Sequence, residues 1–221
     1  IELEYFFQKE SNANKLSKIK PREMNFVFIR QPEMLGTGHA ILLIKNIVKN
    51  EPFIIAYPDD IFIGGNVSLQ LIKHFKKHNS SILPVLEMEG DVSSYGVVEV
   101  TCAGSGDGIM KVVKFVEKPP KGKEPSKLIS VGRYLFTPDF LNELEERYKT
   151  HTKGEYYHVP ALNALAEKSK LLCCTFKGKR YDTGTPAGYF EAIIDVALNR
   201  EDFSKDAIKI LEASLASYKV N

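Results

Sequence analysis

The chain has 221 residues, of which 43% are apolar and 26% are charged, the ordinary composition of a globular protein. Its 30 basic and 28 acidic residues leave a net charge of +2, so composition gives no reason to expect a nucleic-acid partner. The longest apolar run is far shorter than a membrane span, and the 3 cysteines do not form a disulfide framework. We therefore expect one α/β domain over residues 1–221, in a reducing cytoplasmic setting and without a membrane partner.

The first part of the chain predicts helix, strand, helix and strand in that order. Apolar residues among charges over residues 1–19 are typical of amphipathic helices, and residues 25–30 have the apolar character of a strand. A glycine-containing loop over residues 31–40 leads into a second helix. The uncharged residues 53–57 follow and predict a strand buried on both faces. This order predicts a right-handed βαβ crossover between two parallel strands.

The remaining elements also alternate between strands and helices. Strands are predicted at residues 81–86, 94–101, 109–116, 128–136 and 171–176, and helices at 66–77, 154–168 and 186–198, from 138 onward and from 203 onward. Asn66 or Ser68, Thr137 and Thr185 are the predicted N-caps. The glycine-rich residues 103–108 resemble a phosphate-binding loop, but no predicted helix follows them, so we interpret them as the tip of a β-hairpin.

Two carboxylates, Asp59 and Asp60, come directly after the predicted strand at residues 53–57. Pro58 cannot donate to a sheet ladder and ends that strand. The carboxyl ends of strands are where open α/β sheets bind ligands, and paired carboxylates suit Mg²⁺. The alternative is that both residues only form a turn or cap the next segment. These residues alone do not decide between the two interpretations.

Polar groups also follow other predicted strands, and together they predict a defined ligand. Asp182 and Asp59 can share one Mg²⁺, Glu117 can accept sugar hydroxyls, and Lys118 offers a point charge to a phosphate. Gln31 provides one donor and one acceptor, which is what reading a base edge requires. Taken singly, each has a plainer interpretation as a turn residue or a surface ion pair, and the histidines and cysteines show no zinc-binding spacing. The whole set suits a sugar phosphate and a nucleotide bridged by a metal ion.

Six short motifs then follow one another along the chain. They are Arg30-Gln31 with Leu35-Gly36-Thr37-Gly38-His39-Ala40, Tyr57-Pro58-Asp59-Asp60, Tyr95-Gly96-Val97-Val98, Val116-Glu117-Lys118-Pro119, Val131-Gly132-Arg133-Tyr134, and Lys177-Gly178-Lys179-Arg180-Tyr181-Asp182-Thr183-Gly184. In kind and order they resemble the bacterial UTP–glucose-1-phosphate uridylyltransferases, from near residue 1 to about residue 200. The resemblance implies a Rossmann-like nucleotide-diphospho-sugar transferase fold, with a mixed, mostly parallel central sheet flanked by helices.

The resemblance also implies a reaction and a set of site residues. The reaction is Mg²⁺-dependent transfer of a uridylyl group from UTP to glucose-1-phosphate, which gives UDP-glucose and pyrophosphate. The implied catalytic residues are Asp59, Lys118 and Asp182, with Asp59 and Asp182 as the metal ligands. The implied substrate-binding residues are Gln31 and Gly36 for uracil, Gly96 and Glu117 for glucose, Lys118 for the sugar phosphate, and Val131 and Gly132 for the wall of the sugar pocket. A homo-oligomer, dimer or tetramer, is expected, with the helix over residues 201–221 as a candidate contact.

The chain departs from the family pattern in three places. Family members open with a strand and a glycine-rich loop that holds the triphosphate, and because the chain starts at Ile1 after that unit, we expect it to carry the sugar and metal half. Residues 155–160 have the sequence Glu-Tyr-Tyr-His-Val-Pro where members often have Glu-Ile-Gln-Leu-Thr-Asp, and Tyr57 replaces a common leucine. Two alternatives stay open: an inactive remnant that binds nucleotide sugars, or a sister enzyme that uses dTTP or ATP.

Overall fold

A computed structural model describes Lys9 and residues 25–102 and 107–218 of the chain. The chain divides into two compact units, Ile1–Glu33 and Met34–Asn221. In the first unit, residues 25–33 form neither helix nor strand, so the strand predicted at residues 25–30 is wrong. Apolar side chains favour a strand only where a neighbouring strand and a core receive them, and residues 25–30 are all exposed. The helices predicted over residues 1–19 lie outside the described residues, except for Lys9, which is helical.

The described residues of the second unit form seven helices and nine strands. The helices are α1 (Thr37–Leu42), α2 (Lys45–Val48), α3 (Val67–His78), α4 (Asp139–Lys149), α5 (Val159–Glu167), α6 (Pro186–Leu198) and α7 (Ser204–Ser217). The strands are β1 (Phe53–Ala56), β2 (Asp60–Ile63), β3 (Ser81–Glu87), β4 (Gly96–Cys102), β5 (Ile109–Glu117), β6 (Leu128–Ser130), β7 (Arg133–Phe136), β8 (Leu171–Cys174) and β9 (Lys179–Asp182). Among the described residues, no helix combines the length and the apolar content that crossing a bilayer requires.

Seven strands form a central sheet in the order β1-β7-β3-β6-β4-β5-β8, in which β3 also pairs with β8. The α/β fold with a mixed central sheet is therefore confirmed. However, β3–β8 is the one parallel pair among the described strands, so the expected predominance of parallel pairing is wrong. Because residues 25–30 form no strand, the predicted βαβ crossover has no first strand. Instead, β1 pairs antiparallel with β7 at the edge of the sheet and is only partly buried.

Helices cover both faces of this sheet. In β3, Ile82 packs with α3 residues, whereas its neighbour Leu83 packs in the cluster that contains α4 and α5. Since successive strand residues point to opposite faces, α3 lies on one face and α4 with α5 on the other. In the larger cluster the rings of Phe136 and Phe140 stack with centroids 3.7 Å apart. The sheet is thus the middle of three layers, and its strand ends stay open for the loops that carry the motifs.

The local predictions differ in how well they match the structure. The Asn66 and Thr185 caps are confirmed, since each side chain accepts a backbone N–H, from Leu69 and Gly188 respectively. Thr137 is not a side-chain cap, because its hydroxyl pairs with Ser81 Oγ at 3.1 Å. The Thr137 hydroxyl therefore forms a buried hydrogen bond with Ser81 of β3 instead of capping α4.

Three further predictions concern the boundaries of elements. The hairpin of β4 with β5 is confirmed, although residues 103–106 of its tip lie outside the described residues. The strand predicted at residues 128–136 is interrupted into β6 and β7 around Val131 and Gly132. The helix predicted from residue 154 begins only at Val159, after a loop that packs Tyr156 into the core.

The α3 cap gives a test of the local structure. Asn66 Oδ1 accepts the Leu69 N–H at 2.9 Å. We expect Asn66→Ala to lower the free energy of unfolding by about 1 kcal/mol, because that N–H loses its acceptor. Asn66→Asp keeps an acceptor oxygen and is the control. Urea denaturation followed by circular dichroism measures both variants, and an unchanged midpoint for the alanine variant would contradict the cap.

Candidate active site

A polar cleft of about 380 Å³ opens in the second unit where several loops leave the strands. Six of the residues predicted from the motifs line it: Asp59, Gly96, Glu117, Lys118, Gly132 and Asp182. They come from five separate parts of the chain, which the sheet brings to one place. The structure therefore assembles most of the predicted site in a single cleft.

The carboxylates of Asp59 and Asp182 face the same small space. A Cβ atom on Gly184 would lie 3.3 Å from Asp59 Oδ2 and 3.2 Å from Asp182 Oδ1. Thr183 ties the two loops together, since its N–H and its hydroxyl both donate to the Asp59 carbonyl, at 2.8 and 2.9 Å. Two hard oxygen ligands beside an open cleft fit Mg²⁺, which binds one or two carboxylates together with substrate phosphates. The residues present thus suit the predicted metal.

Asp60 is buried under this pair and ties three loops together. Its carboxylate accepts the Gly132 N–H and, at 2.5 Å, the Arg180 Nε–H. Arg180 Nη2 also lies 3.3 Å from Asp182 Oδ2, and its guanidinium lies over the Tyr95 ring. The sequence predicts for Asp60 no more than the shaping of the loop, but its carboxylate is the centre of a buried ion-pair network.

Burial and charge oppose each other within this network. Burial raises the pKa of Asp60, and the Arg180 guanidinium and the Gly132 N–H limit that rise. Burial also works to lower the pKa of Arg180, but the carboxylates of Asp60 and Asp182 outweigh it, so the pKa is raised. Arg180 therefore stays charged and holds the Asp182 side chain beside Asp59.

Two glycines in the cleft wall leave no room for a side chain. A Cβ on Gly132 would lie 2.3 Å from the Tyr57 ring, and a Cβ on Gly96 would lie 2.3 Å from the Phe115 ring. These glycines let the backbone itself form the wall at both positions. Val131 is 1% exposed and packs in a core cluster, so this predicted pocket residue lies behind the wall.

Glu117 and Lys118 end β5 at a strained turn. Lys118 has φ of +44°, a left-handed conformation that lysine seldom adopts, and its N–H donates to the Tyr95 carbonyl at 3.0 Å. Withdrawal of the Glu117 carboxylate from water raises its pKa, and the Lys118 ammonium opposes that rise. A second cavity of about 710 Å³ shares both residues, so the turn borders two spaces. Such strained backbone is typical of functional sites.

Of the two residues predicted to contact uracil, Gly36 does not line the cleft. Gln31 belongs to the first unit. Gly36 precedes α1 with φ of +89°, and a Cβ there would lie 2.6 Å from the Tyr156 carbonyl oxygen. The neighbouring Leu35 carbonyl accepts the Tyr156 N–H at 2.7 Å, and the Gly38 N–H donates to the Tyr156 carbonyl at 2.8 Å. The glycines of this loop therefore admit the close approach of another backbone.

Sequence reasoning missed several residues that line the cleft, among them Tyr57, His158 and Arg180. His158 is 8% exposed, and its Nδ1 lies 3.0 Å from Thr37 Oγ1. Burial lowers the pKa of His158 to about 4, so the ring is neutral at pH 7. The available signal was that residues 155–160 and Tyr57 depart from the family pattern. The sequence alone did not show what those departures do in the cleft.

One other group of described residues has donor atoms close enough for a metal ion: His74 and His78 of α3 with Asp107. Their ligand atoms lie within 4.8 Å of one another. Asp107 Oδ2, however, already accepts Lys77 Nζ at 2.7 Å and lies 2.8 Å from His78 Nε2. An ammonium at that oxygen would repel a cation, so we interpret the group as a hydrogen-bonded ion-pair network.

Comparisons with known proteins agree with this geometry. The chain matches the nucleotidyl transferase family model over residues 4–198. The chain belongs to the nucleotidyl transferase family. The resemblance inferred from the motifs is thereby confirmed, and nucleotidyl transfer is the class of reaction.

Individual relatives of this nucleotidyltransferase narrow the resemblance. The UTP–glucose-1-phosphate uridylyltransferase of Bacillus subtilis (strain 168) is 32% identical over 219 residues, covering 97% of this chain and 74% of the relative. That of Streptococcus pyogenes is 35% identical over 225 residues, covering 96% and 73%. A crystal structure of UDP-glucose pyrophosphorylase complexed with UDP-glucose has a TM-score of 0.75 and 33% identity, covering 87% of this chain and 73% of that one.

The buried histidine of the nucleotidyltransferase cleft predicts a pH dependence of stability. Its folded pKa of about 4 lies below the ordinary value of 6.5, so between these values the unfolded chain binds the extra proton. Stability should therefore fall as the pH drops through this window, by about 3 kcal/mol in total. Comparison of wild type with His158→Leu by urea denaturation from pH 7 to pH 4 isolates this contribution. Parallel pH profiles for the two proteins would show that the ring is not held neutral.

Proposed function

We propose that the chain catalyses Mg²⁺-dependent transfer of the uridylyl group of UTP to glucose-1-phosphate, which gives UDP-glucose and pyrophosphate. The observation that carries this proposal is the convergence of the Asp59 and Asp182 carboxylates in the cleft that Glu117 and Lys118 also line. Support also comes from the named relatives, which are UTP–glucose-1-phosphate uridylyltransferases, and from the UDP-glucose in a related structure.

In the proposed reaction, an oxygen of the glucose-1-phosphate phosphate group bonds to the α-phosphorus of UTP. The bond from that phosphorus to the oxygen bridging to the β-phosphate breaks, and pyrophosphate leaves with the electron pair. Asp59 and Asp182 would hold Mg²⁺, which would supply charge neutralisation for the phosphates. Lys118 brings a second positive charge to the sugar phosphate. Because no proton needs to move, the contribution of the protein is positioning and electrostatic stabilisation.

The sugar end of the substrate has its own proposed contacts. Glu117 accepts hydrogen bonds from glucose hydroxyls. Gly96 and Gly132, where a side chain would collide with the Phe115 and Tyr57 rings, offer their backbones to the sugar. Val131 supports Gly132 from the core side. For the base, the assignment of Gln31 and Gly36 to uracil rests on the motif that contains them. In this arrangement the sugar and the base bind to different sets of residues, on either side of the metal ion.

Substitution of the two carboxylates tests the proposed metal site. We expect Asp59→Asn and Asp182→Asn each to lower the rate of UDP-glucose formation by about 10²–10³-fold, because charge stabilisation at the phosphates is lost. Asp202→Asn removes an exposed carboxylate on the segment before α7 and is the matched control. Full activity in either cleft variant would reject the metal assignment.

A ligand panel separates the proposed function from its sister activities. UTP, dTTP and ATP are assayed with glucose-1-phosphate, and UDP-glucose binding is measured directly by calorimetry. We expect UTP to be preferred and UDP-glucose to bind. Preference for dTTP or ATP would reassign the chain to a sister enzyme, and failure to bind UDP-glucose would reject the proposal as a whole.

We further propose that the chain forms a homo-oligomer through α6 and α7. These helices leave large apolar side chains open to solvent, including Phe190, Ile210, which is 56% exposed, and Leu215, which is 74% exposed. Large exposed apolar side chains of this kind are the groups that protein contacts bury. Sedimentation velocity of wild type should show a dimer or tetramer, and Ile210→Asp should shift it toward monomer. Lys205→Asp on the same helix is the control, and a monomeric wild type would refute the contact.

The proposed setting of the reaction is the reducing cytoplasm. Cys173 and Cys174 of β8 are adjacent, buried and free of disulfide bonds. Burial raises the pKa of each thiol to about 12, so both stay protonated and unreactive at pH 7. Such thiols fill the core as small apolar groups and suit a compartment in which disulfides do not form.

A further inference from the structure

Two polar atoms in the walls of the cleft are buried without a hydrogen-bond partner in the described part of the chain. They are the hydroxyl of Tyr57 and Nε2 of His158, and both residues line the cleft. Buried side-chain polar atoms in folded proteins nearly always have a partner, so each exception needs an explanation. Two exceptions in one cleft point to a ligand that supplies the missing partners.

The surroundings fix both side chains in place. His158 is anchored from its other nitrogen, since Nδ1 pairs with Thr37 Oγ1 at 3.0 Å. The Tyr57 ring lies edge-on against the Tyr134 ring at 5.7 Å and lies 6.5 Å from the His158 ring. Such packing holds the two free polar atoms in fixed positions on neighbouring parts of the wall. A ligand would therefore meet a preformed pair of groups.

The chemistry of the pair selects the type of ligand. Burial lowers the pKa of His158 to about 4, so its ring is neutral at pH 7, and the phenol of a tyrosine is uncharged at that pH. A neutral phenol donates one hydrogen bond, and a neutral imidazole Nε2 donates or accepts one according to its tautomer. Alcohol hydroxyl groups both donate and accept, so they match either tautomer. A phosphate is better matched by the Lys118 ammonium elsewhere in the same cleft.

We propose that His158 Nε2 and the Tyr57 hydroxyl bind hydroxyl groups of the hexose phosphate in the cleft and select fully hydroxylated hexoses over deoxy analogues. This inference rests on the proposed function, because it assigns the sugar end of that substrate. The two side chains have neighbouring rings, with centroids 6.5 Å apart. We infer that they act together on the sugar.

The consequence for specificity follows from the burial of the two atoms. When a deoxy sugar binds, the atom opposite the missing hydroxyl stays buried and unpaired, and sites built this way reject such analogues strongly. Removal of the polar atom from the protein removes that penalty. Discrimination should therefore collapse in the variant, although binding of the full sugar also weakens.

The experiment measures kcat/KM and calorimetric Kd for glucose-1-phosphate and its 2-, 3-, 4- and 6-deoxy analogues. Wild type should disfavour at least one analogue by about 10–100-fold. We expect His158→Leu and Tyr57→Phe each to reduce the ratio for one analogue to within about 3-fold of unity. His158→Gln, which can place an amide nitrogen near Nε2, should restore part of the ratio. Tyr181→Phe is the matched control, since it removes an equally buried, unpartnered hydroxyl that does not line the cleft.

The outcomes distinguish this inference from the proposed function. If wild type binds glucose-1-phosphate or UDP-glucose and the variants keep its full discrimination, the inference is overturned and the proposed function stands. If wild type binds no sugar phosphate or nucleotide sugar, both fall together. Equal loss of discrimination in Tyr181→Phe would mean that general loosening of the fold is responsible, which also overturns the inference. Thermal denaturation of every variant checks that each is folded.

Discussion

The Asp60 carboxylate is the interaction on which the geometry of the cleft depends. It binds Arg180, 120 residues later in the chain, and the backbone of Gly132, 72 residues later. A buried carboxylate is costly unless its lone pairs are used and a cation faces it, and both conditions are met here. Because Arg180 also reaches Asp182, the network sets the distance between Asp182 and Asp59. The buried charge of Asp60 thus helps to position Asp59 and Asp182, which face the open cleft.

Much of the fold follows from local sequence signals. The Asn66 and Thr185 caps depend on the residues beside them, and the hairpin of β4 with β5 depends on strands close together in the chain. The failures come from non-local competition. Residues 25–30 have the composition of a strand but no ladder to join, and the Thr137 hydroxyl is taken by Ser81, 56 residues away. Neither the lack of a partner strand nor the Thr137–Ser81 hydrogen bond can be recognised from the neighbouring sequence.

The residues of the candidate site also differ in whether local sequence signals could identify them. Asp59, Asp182 and Lys118 could be found because charged residues after strands already suggest chemistry, and Gly132 because it stands in a motif. Tyr57 and His158 could not be assigned, since their importance arises from burial and from the lack of a partner among the described residues. Burial is a property of the packed cleft, so it becomes visible only when distant segments are assembled.

The left-handed backbone of Lys118 has a consequence for how this cleft can change. A non-glycine residue in that conformation costs about 1–2 kcal/mol relative to an unstrained one, and glycine would relieve most of it. Selection for thermal robustness alone would therefore replace the lysine with glycine and discard its ammonium group. A lysine that persists at such a position exchanges folding free energy for a charge placed at the mouth of the cleft. Laboratory evolution toward heat tolerance should be expected to erode the turn first.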